Sequence, residues 1–264
     1  MKKLIPLLFV LIAFSSCGEY QKALKSEDVG VKYTAAEKQY DKGNYEKAIM
    51  LFEQIAPSYR GKPQAEKMFY MYAQSLYKTK QFYSAGYQFE SFVSSYPKSE
   101  KVEECAYFGA FSYSKLSPVY SLDQTDTYKA IEKLEAFLGD YPNSTYVADA
   151  NVNLKNLRNK LEKKAFEIAK QYNTISDYKA SLVVLDNFIA DYPGSIYKEE
   201  ALFYKLDSSY FLAINSIPSM MEQRLFNAKL AYEALMKFNA NTQYKPKAND
   251  MLARIENDLK QFSK

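Results

Sequence analysis

The chain has 264 residues, with 35 Lys and Arg against 31 Asp and Glu, so its net charge of +4 does not demand nucleic acid as a partner. It holds 25 Tyr and 17 Phe but no Trp and no His, and the missing His removes Ser-His and Cys-His nucleophiles and His-based metal sites. Carboxylates alone can still hydrolyse glycosidic bonds, so catalysis is narrowed rather than closed.

Residues 1–16 read as a leader. Lys2 and Lys3 form a positive start, and Leu4 to Phe14 form an apolar run. That run is far shorter than the roughly 20 residues a bilayer-spanning helix needs. The next stretch, Phe14-Ser15-Ser16-Cys17, resembles the lipobox of bacterial lipoproteins. The resemblance implies cleavage before Cys17 and acylation of Cys17. The alternative is an ordinary secretory leader cut near Ser15-Ser16, leaving Cys17 a free thiol. Two or three acyl chains would anchor the chain stably, whereas one would bind reversibly. An acylated Cys17 leaves Cys105 without a disulfide partner. In the run Cys105-Ala106-Tyr107-Phe108, that residue reads as a small buried hydrophobe. Residues 17–29 read as the lipidated Cys and a polar tether carrying Glu19, Lys22, Lys25, Glu27 and Asp28.

From residue 30 the chain reads as helix pairs. Gly43 has no Cβ and suits the left-handed end of a helix, and Asn44 is placed to cap the next one. Ala48, Phe52 and Ile55 then recur at i, i+4, i+7 on one face. The same pattern returns as Ala85, Phe89, Phe92, as Ala130, Leu134, Phe137 and as Ser181, Leu185, Phe188. Each of these later copies runs into Tyr-Pro, at Tyr96-Pro97, Tyr141-Pro142 and Tyr192-Pro193, where proline stops the helix. The first copy has Tyr59-Arg60 instead. Ala36, Ala73, Gly109 and Ala169 supply the small residues of the partner helices.

This pattern resembles the tetratricopeptide repeat. It implies an all-α fold, a helical-hairpin superhelix (α-solenoid) of about five helix pairs plus a C-terminal capping helix. The repeat ends at 60, 97, 142 and 193 are spaced unevenly. An insertion at Ser117–Thr125 lengthens the third pair, and the stretch from Ser144 to Tyr172 has neither Pro nor Gly and reads as one long helix. A fifth pair breaks at Asn215-Ser216-Ile217-Pro218, and Leu252, Ile255 and Leu259 mark the closing helix. The organisation is N-terminal repeats over 30–143, then C-terminal repeats and capping helix over 144–264.

Stacked hairpins bind partners. Tyr72, Tyr77, Tyr107, Tyr113 and Tyr204 read as packing between repeats, some of them open to groove lining. Lys160-Leu161-Glu162-Lys163-Lys164 reads as a solvated helix face or a docking patch. Glu103-Glu104 and Glu199-Glu200 point about 100° apart on a helix, which suits helix N-termini better than paired catalysis. No glycine-rich phosphate loop, CxxC pair or zinc-protease motif is present.

Lipobox, tether, helix pairs and closing helix together resemble the BamD family of outer-membrane assembly lipoproteins. The resemblance is carried by Gly43-Asn44-Tyr45-Glu46-Lys47-Ala48-Ile49, by Ser58-Tyr59-Arg60-Gly61-Lys62-Pro63, and by Asp123-Gln124 with Thr127 to Leu138. Its most specific part is Tyr141-Pro142-Asn143-Ser144, Tyr146, Asp149-Ala150 and Leu157-Arg158-Asn159-Lys160-Leu161. Arg60 stands where the family carries proline. The family implies a non-catalytic scaffold of the outer-membrane β-barrel assembly complex, lipid-anchored at the periplasmic face of the outer membrane. Its C-terminal repeats would dock on a BamA-like barrel protein. Its N-terminal repeats would receive unfolded outer-membrane proteins around Tyr59, Arg60 and Gly61. No catalytic residue, metal, cofactor or nucleic acid is implied. Two other readings stand beside it. One is a different periplasmic repeat adaptor, serving cell division or envelope maintenance. The other is a helical glycan hydrolase, which needs two acids facing across a cleft roughly 5–10 Å wide.

Overall fold

Helix follows helix in the computed structural model, and no strand occurs among the described residues, 18–262. The leader and Cys17 lie outside the described residues. Residues 18–25 form α1. Then come α2 (Val29–Asp41), α3 (Tyr45–Tyr59), α4 (Ala65–Lys78), α5 (Phe82–Ser95), α6 (Val102–Leu116) and α7 (Thr125–Asp140). They are followed by α8 (Val147–Thr174), α9 (Tyr178–Asp191), α10 (Lys198–Ile214), α11 (Pro218–Phe238) and α12 (Lys245–Leu259). The sequence pattern holds here: five hairpins, a 28-residue helix at α8, a break before Pro218 and a closing helix. The described residues form two compact units, 18–118 with 123–157, and 119–122 with 158–262. Their boundary falls inside α8.

In the first unit Ala48, Phe52 and Ile55 of α3 are fully buried against Ala36, Met68 and Ala73. Removing a side chain of Phe or Ile size from water is worth about 1.5–3 kcal/mol, so this repeated face holds each hairpin together. Ala85, Phe89 and Phe92 repeat the arrangement on α5, and Ala130, Leu134 and Phe137 repeat it on α7. Helices α5 and α6 approach closely. A Cβ at Gly86 would come 2.9 Å from the Tyr113 ring, and one at Gly109 would come 3.3 Å from the Phe89 Cβ. In the second unit the same geometry recurs with Ser181, Leu185 and Phe188 of α9 facing Phe166, Ala169 and Ala201. Ala228 and Leu235 of α11 then meet Leu206, Ala248 and Ile255.

Two kinds of turn alternate. Within the first, second and fourth pairs, the chain reverses through one left-handed residue: Gly43 (φ 74°), Lys80 (φ 61°) and Ser176 (φ 63°). In each the next N–H reaches back five residues, as in Asn44 to Gln39, Gln81 to Leu76 and Asp177 to Tyr172, all at 2.9 Å. Between pairs, the Tyr carbonyl accepts from the N–H three residues on: Tyr96 from Ser99, Tyr141 from Ser144 and Tyr192 from Ser195. The Ser hydroxyl then accepts from the N–H two residues further, at Lys101, Tyr146 and Tyr197. Asn239 and Thr242 reproduce this turn before α12.

Three expectations are corrected. The stretch read as a tether is largely helical: α1 buries Tyr20 and Ala23, 5% and 3% exposed, in the core of the first hairpin. Its apolar residues Tyr20, Ala23 and Leu24 recur at i, i+3, i+4 behind a charged exterior, so packing overrides polar composition. Asn44 does not cap α3 with its side chain. That amide instead donates to Gln39 Oε1 at 2.9 Å, because the left-handed turn already satisfies the neighbouring backbone. The lysine-rich stretch 160–164 is not an open solvated face, since its residues are half-buried. Within the second unit Lys163 lies 4.3 Å over the Tyr120 ring, and Lys164 donates to the Leu122 carbonyl at 2.6 Å.

Candidate functional site

The residues Tyr59, Arg60 and Gly61 sit at the end of α3. Arg60 has φ −54° and ψ 127°, Gly61 has φ 80°, and the Lys62 N–H returns to the Tyr59 carbonyl at 3.0 Å. These values define a type II turn, in which proline is favoured at the first central position and glycine is required at the second. Arg60 therefore keeps the backbone that a proline would impose, and its side chain adds a cation.

Arg60 and Gly61 line one end of a pocket of about 470 Å³ with Phe69 of α4 and Tyr87, Ser91 and Tyr96 of α5 and its turn. Tyr87 is 60% exposed. Tyr59 is not brought to this pocket. It is 4% exposed, its ring stacks on Tyr33 at 5.2 Å, and the Lys62 ammonium lies over it at 4.9 Å from the ring centroid. Burial raises the pKa of Tyr96, Glu66 adds to that, and Arg60 opposes it. The site offers one guanidinium, the rings of Phe69, Tyr87, Phe92 and Tyr96, and serine hydroxyls. It can hold an extended chain by aromatic contact and pair an anionic group. Sequence reasoning missed Phe69, Tyr87, Ser91 and Tyr96. The signal was Tyr87, Ser91 and Ser95 at i, i+4, i+8, a second stripe beside the core stripe of the same helix.

The paired acids act across helices rather than as helix caps alone. Glu104 accepts hydrogen bonds from the Tyr70 hydroxyl at 2.6 Å, Gln74 Nε2 at 3.2 Å and Lys101 Nζ at 3.0 Å. Glu199 accepts from Thr242 at 2.5 Å and Asn239 at 3.0 Å, and these bonds hold its carboxyl below the usual range. Glu200 pairs with Lys170 at 3.0 Å. The tyrosine hydroxyls follow suit, Tyr72 donating to Glu53 and Tyr113 to Glu90. Cys105 is buried, and burial pushes its thiol up to about 12. Among the described residues no cluster of His, Cys, Asp or Glu could hold a metal, and no helix is long and apolar enough to cross a membrane.

A family model described as YfiO, outer membrane lipoprotein, matches residues 26–225, which include the pocket and nearly all the hairpins. The chain belongs to the YfiO family. Relatives agree along most of its length. The outer membrane protein assembly factor BamD of Caulobacter vibrioides is 23% identical over 78% of this chain and 70% of its own. The putative outer membrane protein assembly factor BamD of Aquifex aeolicus is 26% identical over 98% of this chain and 84% of its own. BamD of Xylella fastidiosa is 26% identical over 74% and 70%. Among solved structures, a putative kinesin light chain of Podosopora anserina with nearly identical TPR-like repeats is 16% identical, covering 86% of this chain and 98% of its own at TM-score 0.32. The YfiO match begins at residue 26 and ends inside α11, so α1 and α12 lie outside it.

Proposed function

We propose that this chain is a non-catalytic scaffold of outer-membrane protein assembly, anchored by lipid on Cys17 at the periplasmic face of the outer membrane. Its N-terminal repeats receive unfolded outer-membrane proteins, and its C-terminal repeats dock on a BamA-like barrel protein. The observation that carries the reading is the Arg60 pocket within a chain of the YfiO family. Arg60 supplies the charge for a terminal or side-chain carboxylate, and Phe69, Tyr87 and Tyr96 supply rings for the aromatic side chains of an extended segment. The site holds and releases a segment without breaking a bond.

The test is purification of the native chain from mildly solubilised envelopes, with Cys17→Ala as control. A β-barrel protein with periplasmic domains should co-purify in near-stoichiometric amount. A photo-crosslinked peptide from the C-terminal strand of an outer-membrane protein should label the pocket, and Arg60→Glu should reduce labelling by roughly tenfold, the loss of about 1.4 kcal/mol. Recovery of division proteins or peptidoglycan enzymes without a barrel partner would overturn the reading in favour of another envelope adaptor.

A further inference from the structure

We propose that α1 is a membrane-seating helix, which couples an acylated Cys17 directly to the first hairpin and lays its exposed face on the lipid headgroups. The proposal rests on the lipid-anchor reading above. Cys17 is bonded to Gly18, the first residue of α1, so no linker residue stands between an acylated Cys17 and the helix. Two residues later the chain is already in the core. The Tyr20 ring is buried there, its hydroxyl lies 3.5 Å from the Met50 sulfur, and Lys47 stands 5.4 Å over the ring. Ala23 is buried one turn on, Leu24 packs beside it, and Glu19 pairs with Lys38 of α2 at 2.6 Å.

The other end is held as well. The Ser26 N–H donates to the Ala23 carbonyl, the Ser26 hydroxyl accepts from Asp28 N–H, and Asp28 caps α2 through Gly30 and Val31. No slack remains between lipid and fold. A free chain of about a dozen residues in this place would spread over roughly 19 Å. With Tyr20, Ala23 and Leu24 turned inward, the residues left outside are Gln21, Lys22 and Lys25, donors suited to lipid phosphates, together with Glu19, whose charge Lys38 offsets. Lys42 of the first hairpin lies close enough to Glu19 to influence its carboxyl. The occupant of this face is the bilayer surface to which the anchor itself is attached.

The experiment uses the full lipidated chain in vesicles of phosphatidylethanolamine and phosphatidylglycerol, with a fluorophore on Lys42→Cys. Cys105 stays unlabelled because its thiol is buried. Lipids carrying a nitroxide on the headgroup should quench the fluorophore strongly. A flexible Gly-Ser insertion of about a dozen residues between Cys17 and Gly18 should cut that quenching at least about threefold. Ala23→Asp, which expels α1 from the core, should do the same. Mass measurement of the N-terminal peptide reports acylation separately. An acylated chain whose quenching is weak, or unchanged by the insertion, overturns the seating of α1 alone. A Cys17 without acyl chains overturns the anchor reading and this proposal with it.

Discussion

Lys80 and Ser176 hold left-handed backbone where Gly43 does so without a Cβ. A non-glycine residue there costs about 1–2 kcal/mol, from which the greater freedom of glycine in the unfolded chain subtracts part. Lys80→Gly should therefore stabilise the first unit by about 0.5–1 kcal/mol, and Gly43→Ala should destabilise it by about 1 kcal/mol. Urea midpoints with unchanged slopes would register both, and a lower midpoint for Lys80→Gly would refute the strain. Gly43 is legible in the sequence because glycine advertises the conformation. Lys80 and Ser176 are not, because a lysine or serine does not mark left-handed backbone, and only the five-residue return bond reveals it. Arg60 was legible as a candidate site residue only by resemblance. Its place in the lining of a pocket depends on Tyr87 and Tyr96, which a different helix brings there.

At the scale of the helix and its turn, the core faces were legible because a small residue followed by two large ones at i+4 and i+7 has one physical use, close packing of two helices. The hydroxyl turns were overlooked. Ser99, Ser144, Ser195 and Thr242 each follow the turn residue by three, but polar residues after a helix stop look like ordinary loop. The second-unit turn also carries a charge. Thr242 first and Asn239 second hold the Glu199 carboxyl below its usual pKa. A depressed carboxyl stabilises the fold above the unfolded value of about 4.3, and that contribution is lost as pH falls through the lower folded value. Glu199→Gln should thus lower stability by about 1 kcal/mol at neutral pH, and the gap to the parent should narrow in melts below about pH 4. A gap that persists unchanged in acid would mean that shape rather than charge is at stake. The tether was misread for the same reason as the turns. Glu19, Lys22 and Lys25 mask the three apolar residues that dock α1.

Across the molecule, tyrosine takes the place that tryptophan fills elsewhere, with 25 Tyr against no Trp. Burial pushes Tyr72 and Tyr107 up to about 12, and it raises Tyr70 and Tyr113 as well, with Glu104 and Glu90 adding to the effect. Groups raised in the folded state stabilise it fully below the unfolded tyrosine value near 10, and that stability is lost as pH climbs toward the folded values. The first unit should therefore unfold in base between about pH 10 and 12, in step with a late rise of tyrosinate absorbance near 295 nm. A single rise near pH 10 with helicity intact would contradict this. The hairpin array itself was legible from end to end, whereas the carboxylates that receive the tyrosine hydroxyls lie 19 to 34 residues away and are set by stacking. The Tyr-to-Ser turn has a consequence for how such chains change in length. Carbonyl, hydroxyl and both amides come from within six residues, so the joint carries its own instructions. Splicing a hairpin in or out at Tyr96–Lys101 or Tyr141–Tyr146 leaves a working joint behind, which lets copy number drift without a new connector having to be invented.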